Sequence, residues 1–220
     1  MDNLSFYQYY SQHSADKEYY QNATKYLLKD MLVNPKFNDE KLEHELSNNM
    51  EKNQPQCFVP TMIYSFLYAS PDESAVGNVQ FKDRMPLIFV TEFDPDNNMV
   101  VGLNFNLMPG IFRAVMLDRI YQTNPKFYDS MEGIDEFTLN HNAVAGVGDK
   151  NNIMNFVHYL NYGKKNNPAF RAYNLKYCKY LRLIEYDMWK YIPFLNAGPS
   201  IKGADIGDIY KQYINWIGKK

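Results

Sequence analysis

The sequence predicts an α+β fold: a small, strongly bent antiparallel sheet, of a kind that can close into an SH3-like barrel, surrounded by helices and carrying a helical arm at each end. Three observations predict it. From Met62 to Tyr68 the side chains alternate, with Met62, Tyr64, Phe66 and Tyr68 on one side and Ile63, Ser65 and Leu67 on the other. Helical spacing holds near both termini, at 14–33 and at 205–217. Asp94-Pro95-Asp96-Asn97-Asn98 is a strong turn signal between two apolar runs of strand length, Pro86–Phe93 and Met99–Phe105. Three parts follow: an N-terminal helical arm over 1–55, an α+β core over 56–200 and a C-terminal helix over 201–220.

Each element has a local reason. Tyr20, Ala23, Leu27 and Met31 share a helical face, and Asn34-Pro35 stops that helix. Asn38 can cap a second helix with the stripe Leu42, Leu46 and Met50, ended by Pro55. A loop is expected from Ser70 to Asp83. Pro109 suits the first turn of a helix whose apolar face is Phe112, Val115, Met116 and Ile120, closed by Asn124-Pro125. Residues 126–150 are loop-rich, and Asn151 can cap a short helix that runs to Gly163. Pro168–Lys179 is assigned as helix, and Tyr180–Ile184 and Tyr191–Leu195 as strands. Asp205 caps a final helix carrying Ile206, Ile209, Tyr210, Tyr213, Ile214 and Ile217 on one face.

Composition narrows the function classes. The 220 residues include 45% hydrophobic and 22% charged residues, which fits a packed domain and excludes wholesale disorder. Apolar runs such as Met85–Val90 are too short to span a bilayer, and the N-terminus lacks the pattern of a signal peptide. The formal charge of -2 excludes a globally basic nucleic-acid coat but not a local patch. There are 24 Asn, 19 Tyr and 18 Lys against 5 Arg, the bias of an AT-rich coding sequence such as those of AT-rich bacteria and their phages.

Catalytic chemistry is hard to assemble. The Asp94–Asn98 run resembles the start of a calcium loop but has Met99 at the sixth position and Phe105 at the twelfth, where Gly and Glu are needed. Gly146-Val147-Gly148-Asp149-Lys150 is too short for a phosphate loop. His13, His44, His141 and His158 lack metal-ligand spacing, and Cys57 and Cys178 give neither a disulfide framework nor a zinc set. The expectation is a non-enzyme with no catalytic residue, cofactor or metal.

One segment stands out by charge. Between Asn161 and Tyr191, seven cations face only Glu185 and Asp187, and aromatic residues are interleaved. Lys164, Lys165, Arg171, Lys176, Lys179 and Arg182 are therefore candidates for contact with DNA phosphates or with an acidic partner. The first 55 residues, with 6 Lys against 9 acidic residues, could supply such an acidic surface from a neighbouring copy. An exposed helix face backed by core aromatics explains the same pattern without a ligand.

Three stretches carry a family resemblance: Lys82-Asp83-Arg84-Met85-Pro86-Leu87-Ile88-Phe89-Val90; Val101-Gly102-Leu103-Asn104-Phe105-Asn106-Leu107-Met108-Pro109 leading into Phe112–Asp118; and Tyr180–Ile184 followed by Trp189 and Ile192–Leu195. Their order over roughly residues 60–195 resembles a family of tailed-phage virion proteins often labelled DNA end protector in large myophages. Its members carry a D-R-x-P-L strand, a G-L-N-x-H-Y-L-P strand, an R-A-x-x-x-D helix and a late W…L-P strand. Asn106 stands where that family usually has His, and the run before the second strand is shortened to Gln80–Arg84. The resemblance implies a non-enzymatic structural component of a virion, at the neck, the portal-proximal region or the tail, assembled in the host cytoplasm. Its partners would be other virion proteins, further copies of itself in an oligomer or ring, and the packaged DNA end, with no membrane. The alternative is a nucleic-acid-processing enzyme or accessory factor in the infected cytoplasm.

Overall fold

The structure, a computed structural model, describes residues 5–30, 58–69, 74–76, 79–123, 168–196, 201–203 and 205–217. Two helices open the chain, α1 (Phe6–His13) and α2 (Lys17–Asp30). A single helix was expected over 14–33, but the chain breaks at Ser14–Asp16 and starts again because Asp16 Oδ1 accepts from the Tyr19 amide at 2.9 Å. α1 starts with a capping box: Ser5 Oγ accepts from the Gln8 amide at 3.2 Å, and Gln8 Oε1 from the Ser5 amide at 2.9 Å. The second expected helix, from Asn38, lies outside the described residues, as do the loop at 126–150 and the helix from Asn151.

The main sheet has five antiparallel strands in the order β6-β5-β4-β1-β7. They are β1 (Ile63–Tyr68), β4 (Leu87–Asp94), β5 (Met99–Asn104), β6 (Phe170–Asn174) and β7 (Cys178–Leu183). The meander β4–β5 and its turn fall where the sequence placed them. β1 is buried on both faces, so its alternation separates two packed sides and not a wet side from a dry one.

The sheet is mixed with helices in an α+β fold, with helices at both ends, and it is bent but not closed into a barrel. Phe66 and Tyr68 of β1 touch Tyr173 of β6 edge-to-face, with ring centroids 5.3 and 5.1 Å apart, although β4 and β5 stand between those strands. The two edges, β6 and β7, are joined by a short 3-10 helix, Leu175–Tyr177, and form no ladder with each other among the described residues. The barrel option is thereby corrected to an open sheet. A bulge at Tyr180, which takes a left-handed φ of 54°, interrupts the β1–β7 register between Ser65 and Leu67.

Three other assignments change. The expected loop at Ser70–Asp83 contains β2 (Ser74–Val76) and β3 (Val79–Asp83), which with β8 (Ile201–Lys202) form a second sheet in the order β2-β3-β8. Two residues, Gly77-Asn78, separate β2 from β3 in sequence, a hairpin signal that the loop assignment passed over. Pro168–Lys179 is not helix but β6, the connecting 3-10 helix and the start of β7, because hydrogen bonding along β5 claims Phe170–Asn174. Tyr191–Leu195 is not a strand. It belongs largely to a 3-10 helix, Tyr186–Phe194, whose three-residue turn puts Tyr186, Trp189, Ile192 and the following Leu195 in one buried row.

Helix α3 (Gly110–Thr123) follows Pro109, and helix α4 (Ile206–Ile217) begins at Asp205, whose Oδ1 accepts from the Gly207 amide at 2.6 Å. The buried face of α3 is rotated from the expected one. Arg113, Ala114, Leu117 and Ile120 point inward, while Val115 is 41% exposed. On α4, Ile209 and Tyr213 are buried as expected, but Ile214 is exposed. The helices before residue 30 are docked on the rest of the chain. Phe6 and Leu27 are in the core, Thr24 Oγ1 donates to the Phe194 carbonyl at 2.9 Å, and Phe6 packs edge-on against Tyr186. The proposed boundary at 55/56 lies outside the described residues.

Candidate functional site

Of the six cations singled out in the sequence, four lie among the described residues, and these four differ in exposure. Lys164 and Lys165 lie outside the described residues. Arg171 is half-buried on β6, and its charge acts on the buried Asp83 carboxylate instead of facing solvent alone. Lys176, in the 3-10 connection, and Lys179, on β7, are exposed, while Arg182 is half-buried further along β7 opposite Ser65. The Lys176 ammonium stands over the Tyr177 ring, 5.5 Å from its centroid. This tip also adjoins the Asp94–Asn98 turn, through a Leu175 amide to Asn98 carbonyl bond of 2.8 Å. Its lysines therefore share the tip with Asp94 and Asp96. Asp94 keeps its turn role: Oδ1 accepts from the Asn97 amide at 3.1 Å and Oδ2 from the Asn97 side-chain amide at 2.7 Å. Those bonds hold its carboxyl below the usual carboxylate range.

The residues that carry the sequence motifs gather elsewhere, in the interior. Asp83, the last residue of β3, is buried against the end of β5. Asn104 Nδ2 donates to its Oδ2 at 2.5 Å and also to the Tyr173 hydroxyl at 2.7 Å. Asn106 Nδ2 reaches both carboxylate oxygens at 3.3 Å and the Met85 carbonyl at 2.8 Å. The Met85 amide donates to Asp83 Oδ1 at 3.2 Å. Asn104 Oδ1 accepts from the Asn106 amide at 2.8 Å, which caps the 3-10 turn Phe105–Leu107. The Asp83 carboxyl is raised to about 6, because burial pushes it up further than the amide donors and Arg171 pull it down.

Arg113 is the second interior charge, 1% exposed. Its Nε donates to the Met108 carbonyl at 2.7 Å, one terminal nitrogen to the carbonyls of Ile192 (3.3 Å) and Leu195 (2.6 Å), and the other to the Tyr210 hydroxyl at 2.6 Å. These bonds place a cation at the carbonyl end of the Tyr186–Phe194 helix, where the helix dipole is negative. Asp118, five residues on, does the opposite: its oxygens accept from the Phe6 and Tyr7 amides at 2.6 and 3.0 Å, at the positive end of α1. Tyr10 and Tyr20, hydroxyl to hydroxyl at 2.9 Å, lie near Arg113, and burial raises the Tyr20 hydroxyl so that it stays neutral beside the cation. Gly110 is needed here, because a Cβ would stand 2.4 Å from the Pro193 carbonyl and 3.0 Å from the Tyr10 hydroxyl.

Among the described residues, the remaining candidates are Cys178 and His13. The Cys178 thiol is pushed up to about 12 by burial, so it is no thiolate at neutral pH. His13 stacks on Tyr19, with ring centroids 4.3 Å apart. Cys57, His44, His141 and His158 lie outside the described residues. Among the described residues, no three His, Cys, Asp or Glu side chains gather to hold a metal ion, and no helix is long and apolar enough to cross a membrane. Asn104 and the buried role of Arg113 were missed in the sequence; the signal available was a polar residue ending an apolar strand and an arginine amid apolar neighbours. Compared with protein-family models, curated proteins and solved structures, the chain matches none of them.

Proposed function

We propose that the protein is a non-enzymatic structural component of a tailed-phage virion, placed at the neck, the portal-proximal region or the tail. The observation that carries this reading is where the motif residues go. Asp83, Asn104, Asn106, Arg113 and Asp118 all make bonds that tie one element of the fold to another, so the resembling pattern is accounted for as architecture. Trp189 follows the same rule, buried with its indole N–H donating to the Ile184 carbonyl at 3.1 Å. A polar pattern spent on holding strands and helices together suits a part that must be rigid in an assembly.

Contact with the packaged DNA end belongs to this reading as its second step, through the exposed Lys176 and Lys179 together with Lys164 and Lys165. Mass spectrometry of purified particles tests the first step. Copy numbers in multiples of six or twelve support a ring in the neck or tail, and a few copies support a cap on the DNA end. Absence from particles, together with metal-dependent hydrolysis of nucleic acid that one carboxylate substitution abolishes, moves the assignment to the processing enzyme of the infected cytoplasm.

A further inference from the structure

The Asp83 cluster joins two sheets. Asp83 ends β3 of the three-stranded sheet, whereas Asn104 ends β5 and Tyr173 lies on β6 of the five-stranded sheet. All the hydrogen bonds described for the carboxylate come from neutral donors: two side-chain amides and one backbone N–H. Among the described residues, the charged and titratable groups around it are few. β6 contributes Arg171 and Tyr173, Arg84 follows Asp83 in the chain, and β8 sets Ile201 opposite Asp83, with the Lys82–Lys202 pair one register step away. A buried carboxylate held by amide dipoles and one partly buried guanidinium has weak compensation for its lost hydration.

We propose that this cluster is a proton-operated clasp between the two sheets, tight when Asp83 is neutral and loosened when it is charged. The sign follows from the direction in which burial moves the group. The folded-state value, about 6, lies above the ordinary 3.8, so the folded joint binds the proton more tightly than an opened joint does. The stabilisation is fully present below the ordinary value and is lost as pH rises through the folded one. Near neutral pH the joint carries a buried charge that the amide donors and Arg171 only partly offset. Asn106 couples the clasp to the turn before α3, because the same side chain holds Asp83 and the Met85 carbonyl.

Amide hydrogen exchange between pH 4 and 7 on the full chain tests this. After correction for the intrinsic pH dependence of exchange, opening of β3 and β8 should increase with pH by up to about 100-fold, the factor set by a shift of about two units. Asp83→Asn should flatten that dependence. Carboxyl NMR on the unaltered protein should place the Asp83 midpoint near 6, and Arg171→Met should move it higher. PH-independent opening in the unaltered protein, the same rise in Asp83→Asn, or a carboxyl midpoint in the ordinary aspartate range overturns the proposal. The carboxyl measurement decides the matter even if the Asn variant does not fold.

Discussion

The interior around α3 and the tip that joins the sheet edges handle charge in opposite ways. Inside, Arg113 has its nitrogens matched to three carbonyls and a phenol, and Asp118 holds two amides at the start of α1. At the tip, Lys176 and Lys179 are exposed, and the contact described for the Lys176 charge is a ring of its own neighbour. A buried charge costs several kcal/mol unless it is hydrogen-bonded. An exposed charge costs little and holds little. Substitutions inside should therefore cost stability, and substitutions at the tip should cost only binding.

The largest effect should come from removing the first helices. Deletion of residues 1–30 takes Phe6, Ala23 and Leu27 from the core and leaves Phe194 without its aromatic cover from Tyr9, Tyr10, Tyr19 and Tyr20. We expect loss of cooperative melting, seen by calorimetry or circular dichroism. A truncated chain that still melts in one sharp transition restores the separable arm that the sequence suggested.

Next comes Arg113→Met, which keeps volume and removes the donors. It strips the Met108 and Leu195 carbonyls and the Tyr210 hydroxyl of the Arg113 donors, while the Ile192 carbonyl keeps the Leu195 amide at 3.2 Å, at about 1–3 kcal/mol for each buried group left unpaired. Relief of the buried charge offsets part of this, so the net loss should be about 3 kcal/mol. Urea unfolding should show a lower midpoint with an unchanged slope. Arg113→Lys should recover little, since one ammonium cannot span four acceptors in three directions.

Asp118→Ala should cost less, about 1 kcal/mol, the usual worth of an N-terminal capping side chain. Its effect should be local: faster amide exchange in α1, with β4 and β5 unchanged.

The same contrast explains what the sequence made legible. The β4–β5 meander and α4 were readable because period and turn chemistry act locally; Asp94–Asn98 and Asp205 each serve the element they adjoin. The misplaced elements were decided by distant partners. Phe170–Asn174 is a strand because β5 pairs with it across roughly seventy residues of chain, and its burial has no period of two to reveal that. Tyr191–Leu195 is too short for a helical period to show by itself; the spacing of three emerges only when Tyr186 and Trp189 are included, and it fits the 3-10 turn. The interior sites were hidden for a related reason. An inward arginine at 113 rotated the buried face of α3 away from the one drawn through apolar residues alone, and nothing local marks Asn104 as the partner of Asp83.

The smallest effect on the fold should come from the tip. Lys176→Ala with Lys179→Ala removes two exposed cations whose side chains tie no element to another, so the melting temperature should stay within about 1 °C of the unaltered protein. If both meet phosphates, the salt dependence of duplex DNA binding should fall by up to about two units of log–log slope, at roughly 0.9 per contact. Asp94 and Asp96 beside them oppose an anionic ligand, so the Asp94–Asn98 turn gives a second arm to the test. Changing Asp96 to Asn should strengthen DNA binding if phosphate approaches this face, because it removes a like charge from the ligand's path without touching the Asp94–Asn97 bonds that hold the turn. If neither change alters the slope or the affinity, the exposed lysines are not the DNA contact. An acidic protein surface is then the partner to look for, by measuring incorporation of the double variant into particles.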